Sequence, residues 1–177
     1  MKKTLVLLSL ALPLAGCGGA AAPEPRSYDL GLEAPAAKLP AVRVGGVRAA
    51  APFDGTDMFY RLAYRNASEI AAFTGSRWAA PPAEMLRKQL QRASAESGKC
   101  TLSVEIQEFT QVFSAKDASE GRVELLASLS GGATRRFAVA EGRAGADAVG
   151  GAGALARASN RAIGELAGWI AAQPGCR

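Results

Sequence analysis

The chain has 177 residues, 49% of them hydrophobic, with a net charge of +5 and no histidine. That length suits one domain with a core of its own. The missing histidine excludes Ser-His-Asp and Cys-His nucleophile systems and the usual zinc sites. The mild positive charge comes without a Lys/Arg run, so nothing suggests nucleic acid.

Met1-Lys2-Lys3 is a short positive start, and Thr4–Leu14 is an apolar run with Pro13 near its end. About 20 apolar residues are needed to span a bilayer, so the run reads as the h-region of an export signal. Leu14-Ala15-Gly16-Cys17 then matches a bacterial lipobox: small residues admit the chain to the signal peptidase, and the Cys17 thiol takes a diacylglyceryl group. The alternative is an ordinary signal peptide with an incidental cysteine. Removal of residues 1–16 takes away Lys2, Lys3 and no acid, which lowers the charge from +5 to +3. Acyl chains, at about 0.8 kcal/mol per buried CH₂, hold such a protein to a membrane. The expected organisation is a leader over 1–16, an acylated tether over 17–27 and a single domain over 28–177. Gly18–Ser27 carries two prolines and no apolar periodicity, as a tether should.

Tyr28, Leu30 and Leu32 alternate with Asp29 and Gly31, which predicts a short strand. Val42-Arg43-Val44 opens a second, and Gly45-Gly46 shifts its phase as a bulge does. Pro52-Phe53-Asp54-Gly55 predicts a turn. Met58–Arg65 places Met58, Tyr60, Leu62 and Tyr64 on one face, and Ile70–Phe73 is expected to pair with it as a hairpin. Pro81-Pro82 opens a helix with Met85, Leu86, Gln89, Leu90 and Ala93 inward, stopped at Ser97-Gly98. Thr101–Phe113 is the clearest strand: Leu102, Val104 and Ile106 share a face, and the phase then moves to Phe109 and Phe113, which predicts a bulge near Gln107-Glu108. Arg122–Leu129, a Gly131-Gly132 turn and Arg135–Glu141 continue as an antiparallel meander. Leu155, Ala162, Ile163, Leu166, Trp169 and Ile170 form the stripe of a last helix, with Arg161 and Glu165 on its wet side. This order predicts an α+β fold, an antiparallel sheet with two helices packed on one face.

Two cysteines remain after Cys17. The export signal puts Cys100 and Cys176 in an oxidising compartment, and two thiols allow one pairing. The expected disulfide ties the C-terminus to the start of the central strand; the alternative is two free thiols. Gly75-Ser76 lacks the surroundings of a nucleophile elbow. Glu105 and Glu108 read as exposed strand acids. Gly151-Ala152-Gly153-Ala154-Leu155-Ala156 matches G-x-G-x-x-A, but no buried parallel strand precedes it and position 176, near where the acid belongs, is a cysteine. It reads as a flexible lead into the last helix. Tyr60, Phe73, Trp78, Phe109 and Phe113 fit core packing or an aromatic face for a partner or lipid, and both readings stand. Arg61, Arg65 and Arg77 lie near them in sequence and form the candidate partner surface, suited to an acidic partner or phosphate head groups. No cofactor and no metal site is expected.

The lipobox, Tyr28-Asp29-Leu30, Val42-Arg43-Val44, Met58-Phe59-Tyr60-Arg61, Arg77-Trp78-Ala79-Ala80-Pro81-Pro82, Phe109-Thr110-Gln111-Val112-Phe113 and Trp169-Ile170 occur in an order that resembles the ABC-type transport auxiliary lipoproteins. This is the PqiC-like family associated with MCE (mammalian cell entry) lipid transporters. The resemblance implies a fold similar to the N-terminal domain of TolB and no enzymatic activity. It implies an outer-membrane lipoprotein on the periplasmic face, serving as accessory subunit of an ABC system for intermembrane lipid transport. Its partners would be an MCE-domain protein, the membrane through the anchor, and lipid. Gly18 after Cys17 replaces the aspartate that commonly marks inner-membrane retention. The other function open to such a sequence is an envelope scaffold or assembly lipoprotein that binds protein or peptidoglycan without a transport role.

Overall fold

The computed structural model describes residues 24–95 and 97–176, the side chain of Arg143 aside. Cys17, the expected leader and most of the expected tether lie outside the described residues. Seven strands and two helices follow in the order β1 (Arg26–Tyr28), β2 (Val42–Ala49), β3 (Asp57–Leu62), β4 (Ala71–Trp78), α1 (Pro82–Ala93), β5 (Cys100–Phe113), β6 (Ser119–Leu129), β7 (Thr134–Ala144) and α2 (Ala148–Ala171). They form the α+β class expected: one open sheet with both helices packed on it. Among the described residues no helix is long and apolar enough to cross a membrane.

The sheet runs β1-β4-β3-β5-β6-β7, with β2 also paired to β5. The β5-β6-β7 meander is antiparallel, as expected. The sheet as a whole is mixed, however, because β2 and β3 both run parallel to β5, and β1 runs parallel to β4. Alternation reports which face a residue takes and is blind to strand direction. β2 pairs with the first half of β5 and β3 with the second half. The chain thus keeps its direction across the Ala50–Thr56 connection, which carries a cis Ala51–Pro52 bond and buries Phe53 against Phe59.

Both expected bulges are present. The β2–β5 register shifts between Val44 and Val47, where a Cβ on Gly45 would lie 2.6 Å from the Thr101 methyl. The β5–β6 register shifts between Ile106 and Glu108, and this returns Phe109 to the face of Leu102, Val104 and Ile106. That face carries the core, with Val123, Leu125, Phe137 and Val139 from β6 and β7 beneath Leu155, Ile163, Leu166 and Ile170 of α2. The inward stripe of α1 is the one expected, with Met85, Leu86, Gln89, Leu90 and Ala93 all buried. α1 ends at Ala93, earlier than Ser97-Gly98, because Ser94 turns extended and donates its hydroxyl to the Val42 carbonyl.

Three further expectations are corrected. The first strand is Arg26–Tyr28 and not Tyr28–Leu32, so the sheet starts two residues inside the expected tether. Asp29 Oδ1 accepts from the Gly31 amide (2.8 Å), and Gly31 takes φ +88°, so the strand stops there. β3 stops at Leu62, and Tyr64 lies in the turn beyond it. Gly151–Ala156 is not a flexible lead but the second turn of α2 onward. Its glycines let the helix touch the sheet. A Cβ on Gly151 would stand 2.1 Å from Gln111 Oε1, and one on Gly121 of β6 would stand 2.7 Å from the α2 backbone at Ala154. Asp147 caps the helix by accepting from the Gly150 amide.

Cys100 and Cys176 are joined in a disulfide, with Cα atoms 5.1 Å apart. It ties the chain end after α2 to the first residue of β5 and closes a loop of 76 residues. On the chain-entropy account such a loop contributes about 4 kcal/mol. Replacing both cysteines by serine should lower the thermal midpoint by about 5–15 °C, and scanning calorimetry of the oxidised protein against that variant checks it. Trp78 ends β4 as its place before Ala79-Ala80-Pro81-Pro82 predicts; it is buried at 5.4 Å, edge-on, from Phe109, and its indole N–H has no partner among the described residues. Trp78→Ala should therefore cost about 3–5 kcal/mol, and Trp78→Phe, which forfeits no hydrogen bond, about 1–2 kcal/mol. Urea unfolding of the two variants measures the difference; equal losses would show that the indole N–H is bonded.

Candidate functional site

Between the helices the chain leaves β1 and crosses as a short strap, Asp29-Leu30-Gly31-Leu32. Leu30 is driven into the core. Gln89, the one polar residue in the inward stripe of α1, is also buried and donates from Nε2 to the carbonyls of Leu30 and Gly31, both at 3.4 Å. Arg92 donates to the Leu32 carbonyl (3.2 Å), and the Ala79 amide to the Tyr28 carbonyl (2.7 Å). Three bonds from α1 thus hold a segment with no regular structure of its own, and the Ala79 bond fixes the strand end from which it leaves.

The strap divides a cleft. On its α1 side lies a hollow of about 360 Å³ floored by Leu30, Ala80 and Met85, with Arg87, Lys88 and Arg92 on its rim. On its α2 side lies one of about 480 Å³ against Tyr28, Val149, Ala152 and Gly153. Asp29, Gly31 and Ala79 line both. Two apolar side chains stand out in solvent at this end of the molecule, Leu32 at 88% exposure and Val149 at 53%. Glu84 neutralises Arg87, its partner one turn along α1, so Lys88 and Arg92 carry the net positive character of the rim. Hollows of a few hundred Å³ with apolar floors and a few placed polar groups accept small ligands or single side chains of a partner. No group of three or more metal-ligating acids or thiols occurs among the described residues.

The three arginines of the expected partner surface lie elsewhere. Arg61 is on the sheet face away from the helices, paired with Glu108 at 3.0 Å and donating to the Ala67 carbonyl. Arg77 shares that face at the far end of the β3–β4 hairpin, opposite Asp57, and reaches Ser27 Oγ at 3.4 Å. Arg65 is exposed in the turn after β3. None of them lines the cleft. The strand acids Glu105 and Glu108 are partly buried by ion pairs with Arg48 and Arg61. Among the aromatics, Trp78, Phe109 and Phe113 belong to buried packing, whereas Tyr60 and Phe73 are half-buried, with ring centres 4.6 Å apart. The cleft itself had two signals in the sequence: the Asp29-x-Gly31 turn, and Gln89 as a polar residue at a helix position that faces inward.

Comparison with protein-family models and with curated proteins finds no match. Solved structures do match. A crystal structure from Xanthomonas campestris, of a protein assigned to the family DUF330, superposes with a TM-score of 0.64 at 24% identity, over 83% of this chain and 91% of that one. A second crystal structure, described as that of an uncharacterized protein, gives a TM-score of 0.61 at 18% identity, over 83% of this chain and 99% of that one. The fold of this chain is therefore the fold of those proteins, nearly end to end.

Proposed function

We propose that this chain is an envelope lipoprotein anchored through Cys17 to the outer membrane, facing the periplasm. It acts there as a non-catalytic accessory subunit of an MCE-type ABC system for intermembrane lipid transport. The observation that carries the reading is the near end-to-end likeness to the Xanthomonas campestris DUF330 structure, because DUF330 is the PqiC-like family that the order of motifs resembles. The lipobox supports the anchor, and the cleft beside the strap supplies a surface for the partner. Leu32 and Val149 are the apolar contacts of that surface, and Lys88 and Arg92 steer an acidic segment or head group toward it.

Two measurements test this. Cys17→Ser should move the protein out of the outer-membrane fraction and leave an uncleaved leader, seen as a heavier chain by mass spectrometry. The full-length chain, cross-linked in its own envelope and isolated, should bring down an MCE-domain protein. Leu32→Asp with Val149→Asp changes only exposed side chains, so it should leave thermal unfolding unchanged and cut that recovery about tenfold, the equivalent of roughly 1.4 kcal/mol. Recovery of peptidoglycan-associated proteins without any transporter component would replace the transport role with a scaffold role.

A further inference from the structure

Three large apolar side chains stand in solvent among the described residues: Leu32, Val149 and Tyr64. The first two belong to the cleft, and Tyr64 does not. It is 40% exposed, in the loop over residues 63–70 that joins β3 to β4. The loop is firmly held. The Tyr64 amide donates to the Phe113 carbonyl (3.3 Å), and the Arg65 and Asn66 amides to the Leu62 carbonyl (2.8 and 2.9 Å). The Ser68 amide donates to Asn66 Oδ1 (3.1 Å). The Tyr64 ring is thus presented to solvent by a fixed backbone.

The loop lies at the end of the sheet from which the chain arrives. β1 runs parallel to β4, with Arg26 opposite Ser76, so the chain enters β1 from the side where β4 begins. Glu24, the first described residue, comes seven residues after Cys17. Seven residues span at most about 25 Å in any conformation. The β6–β7 turn marks the other end, where the Ser130 amide donates to the Thr101 carbonyl. The length of β5 from Thr101 to Phe113, about 40 Å, separates that turn from Tyr64. With Cys17 in a bilayer, the Tyr64 end of the domain is the near one.

We propose that the loop over 63–70 rests on the phospholipid surface that holds Cys17, with the Tyr64 ring in the head-group layer. This rests on the reading of Cys17 as an acylated anchor. Tyrosine suits that layer because its ring is apolar and its hydroxyl polar. Arg65 beside it is exposed and has no carboxylate partner among the described residues. Its stem can lie along the surface with the guanidinium among the phosphates. Net charge does not drive the contact. Glu69 offsets Arg65 within the loop, and Asp117 offsets Lys116 in the turn after β5, at the same end. The contact therefore does not need anionic lipid. It can be weak in itself, because the anchor holds the loop at a high effective concentration beside the surface.

The test is a fluorescent label on the full-length acylated chain in phospholipid vesicles. With Cys17 acylated and Cys100 bonded to Cys176, one introduced cysteine is the only free thiol. Tyr64→Cys and Ala67→Cys alter exposed side chains of the loop. Gly131→Cys marks the far end, where a Cβ meets nothing within 4 Å. Each carries a nitrobenzoxadiazole label. In vesicles of phosphatidylethanolamine and phosphatidylglycerol, emission from positions 64 and 67 should shift to the blue. Phospholipid with a nitroxide on its head group should quench most of it. The label at 131 should do neither, and vesicles of phosphatidylcholine alone should give the same pattern. Tyr64→Asp in the Ala67→Cys chain should remove most of the shift. If the unaltered chain floats with the vesicles while labels at 64 and 67 behave like that at 131, the proposal falls and the anchor stands. A shift confined to the anionic vesicles, or one that survives Tyr64→Asp, also overturns it. An unaltered chain that does not float removes the anchor and the proposal together.

Discussion

The structure depends on one strand. β5 has 14 residues, and it hydrogen-bonds along one side to β6 and along the other to two strands in succession, β2 and then β3. Its apolar positions change phase partway, from Leu102, Val104 and Ile106 to Phe109, so one face can stay on the core only with a correction. The bulge between Ile106 and Glu108 makes it, by adding a residue that flips the phase. Without that residue Phe109 would turn to the open face and Trp78 would lose its ring partner. The same bulge falls where β2 gives way to β3, so the change of partner and the change of phase coincide. The disulfide at Cys100 then fixes the start of this strand to the end of the chain.

Helix α2 shows how closely the second layer must approach the first. Gly121 on β6 and Gly151 on the helix remove the Cβ atoms that would collide with the opposite layer. Gln111, buried on the core face of β5, donates to Ser119 Oγ and to the Gly145 carbonyl, both at 2.8 Å. It thereby joins three elements at the point where α2 begins. A buried amide costs free energy unless it is bonded; Nε2 makes both of these bonds, and Oε1 has no partner among the described residues. The glycine-rich start of α2 is thus a packing device, and the Asp147 carboxylate already occupies the helix N-terminus where a dinucleotide phosphate would sit.

Most of the frame was legible because alternation and helical spacing report burial directly. The stripe of α1, the stripe of α2 and both bulges follow from the positions of apolar residues alone. Strand direction did not follow, since a residue faces the same way in a parallel and an antiparallel pair. The first strand was misplaced because Tyr28, Leu30 and Leu32 do alternate; but Leu30 points into the core from a turn and Leu32 points into water. The arginines fared worse for a related reason. Arg61, Arg65 and Arg77 are close in sequence, yet β3 and β4 are antiparallel and place Arg61 and Arg77 at opposite ends of their hairpin. The cleft was the hardest part to read, because its walls come from β1, α1 and α2, which meet only in the folded chain.

The two faces of the sheet have different work. The helix face holds the core, and the strap leaves hollows on either side that none of its side chains fills. The open face carries ion pairs, across strands between Arg48 and Glu105 and between Arg61 and Glu108, and along β6 between Arg122 and Glu120. Such pairs at a surface add little stability, but they keep that face wetted and discourage sheet-on-sheet stacking. The cleft lies beside β1, at the margin of the sheet opposite β7.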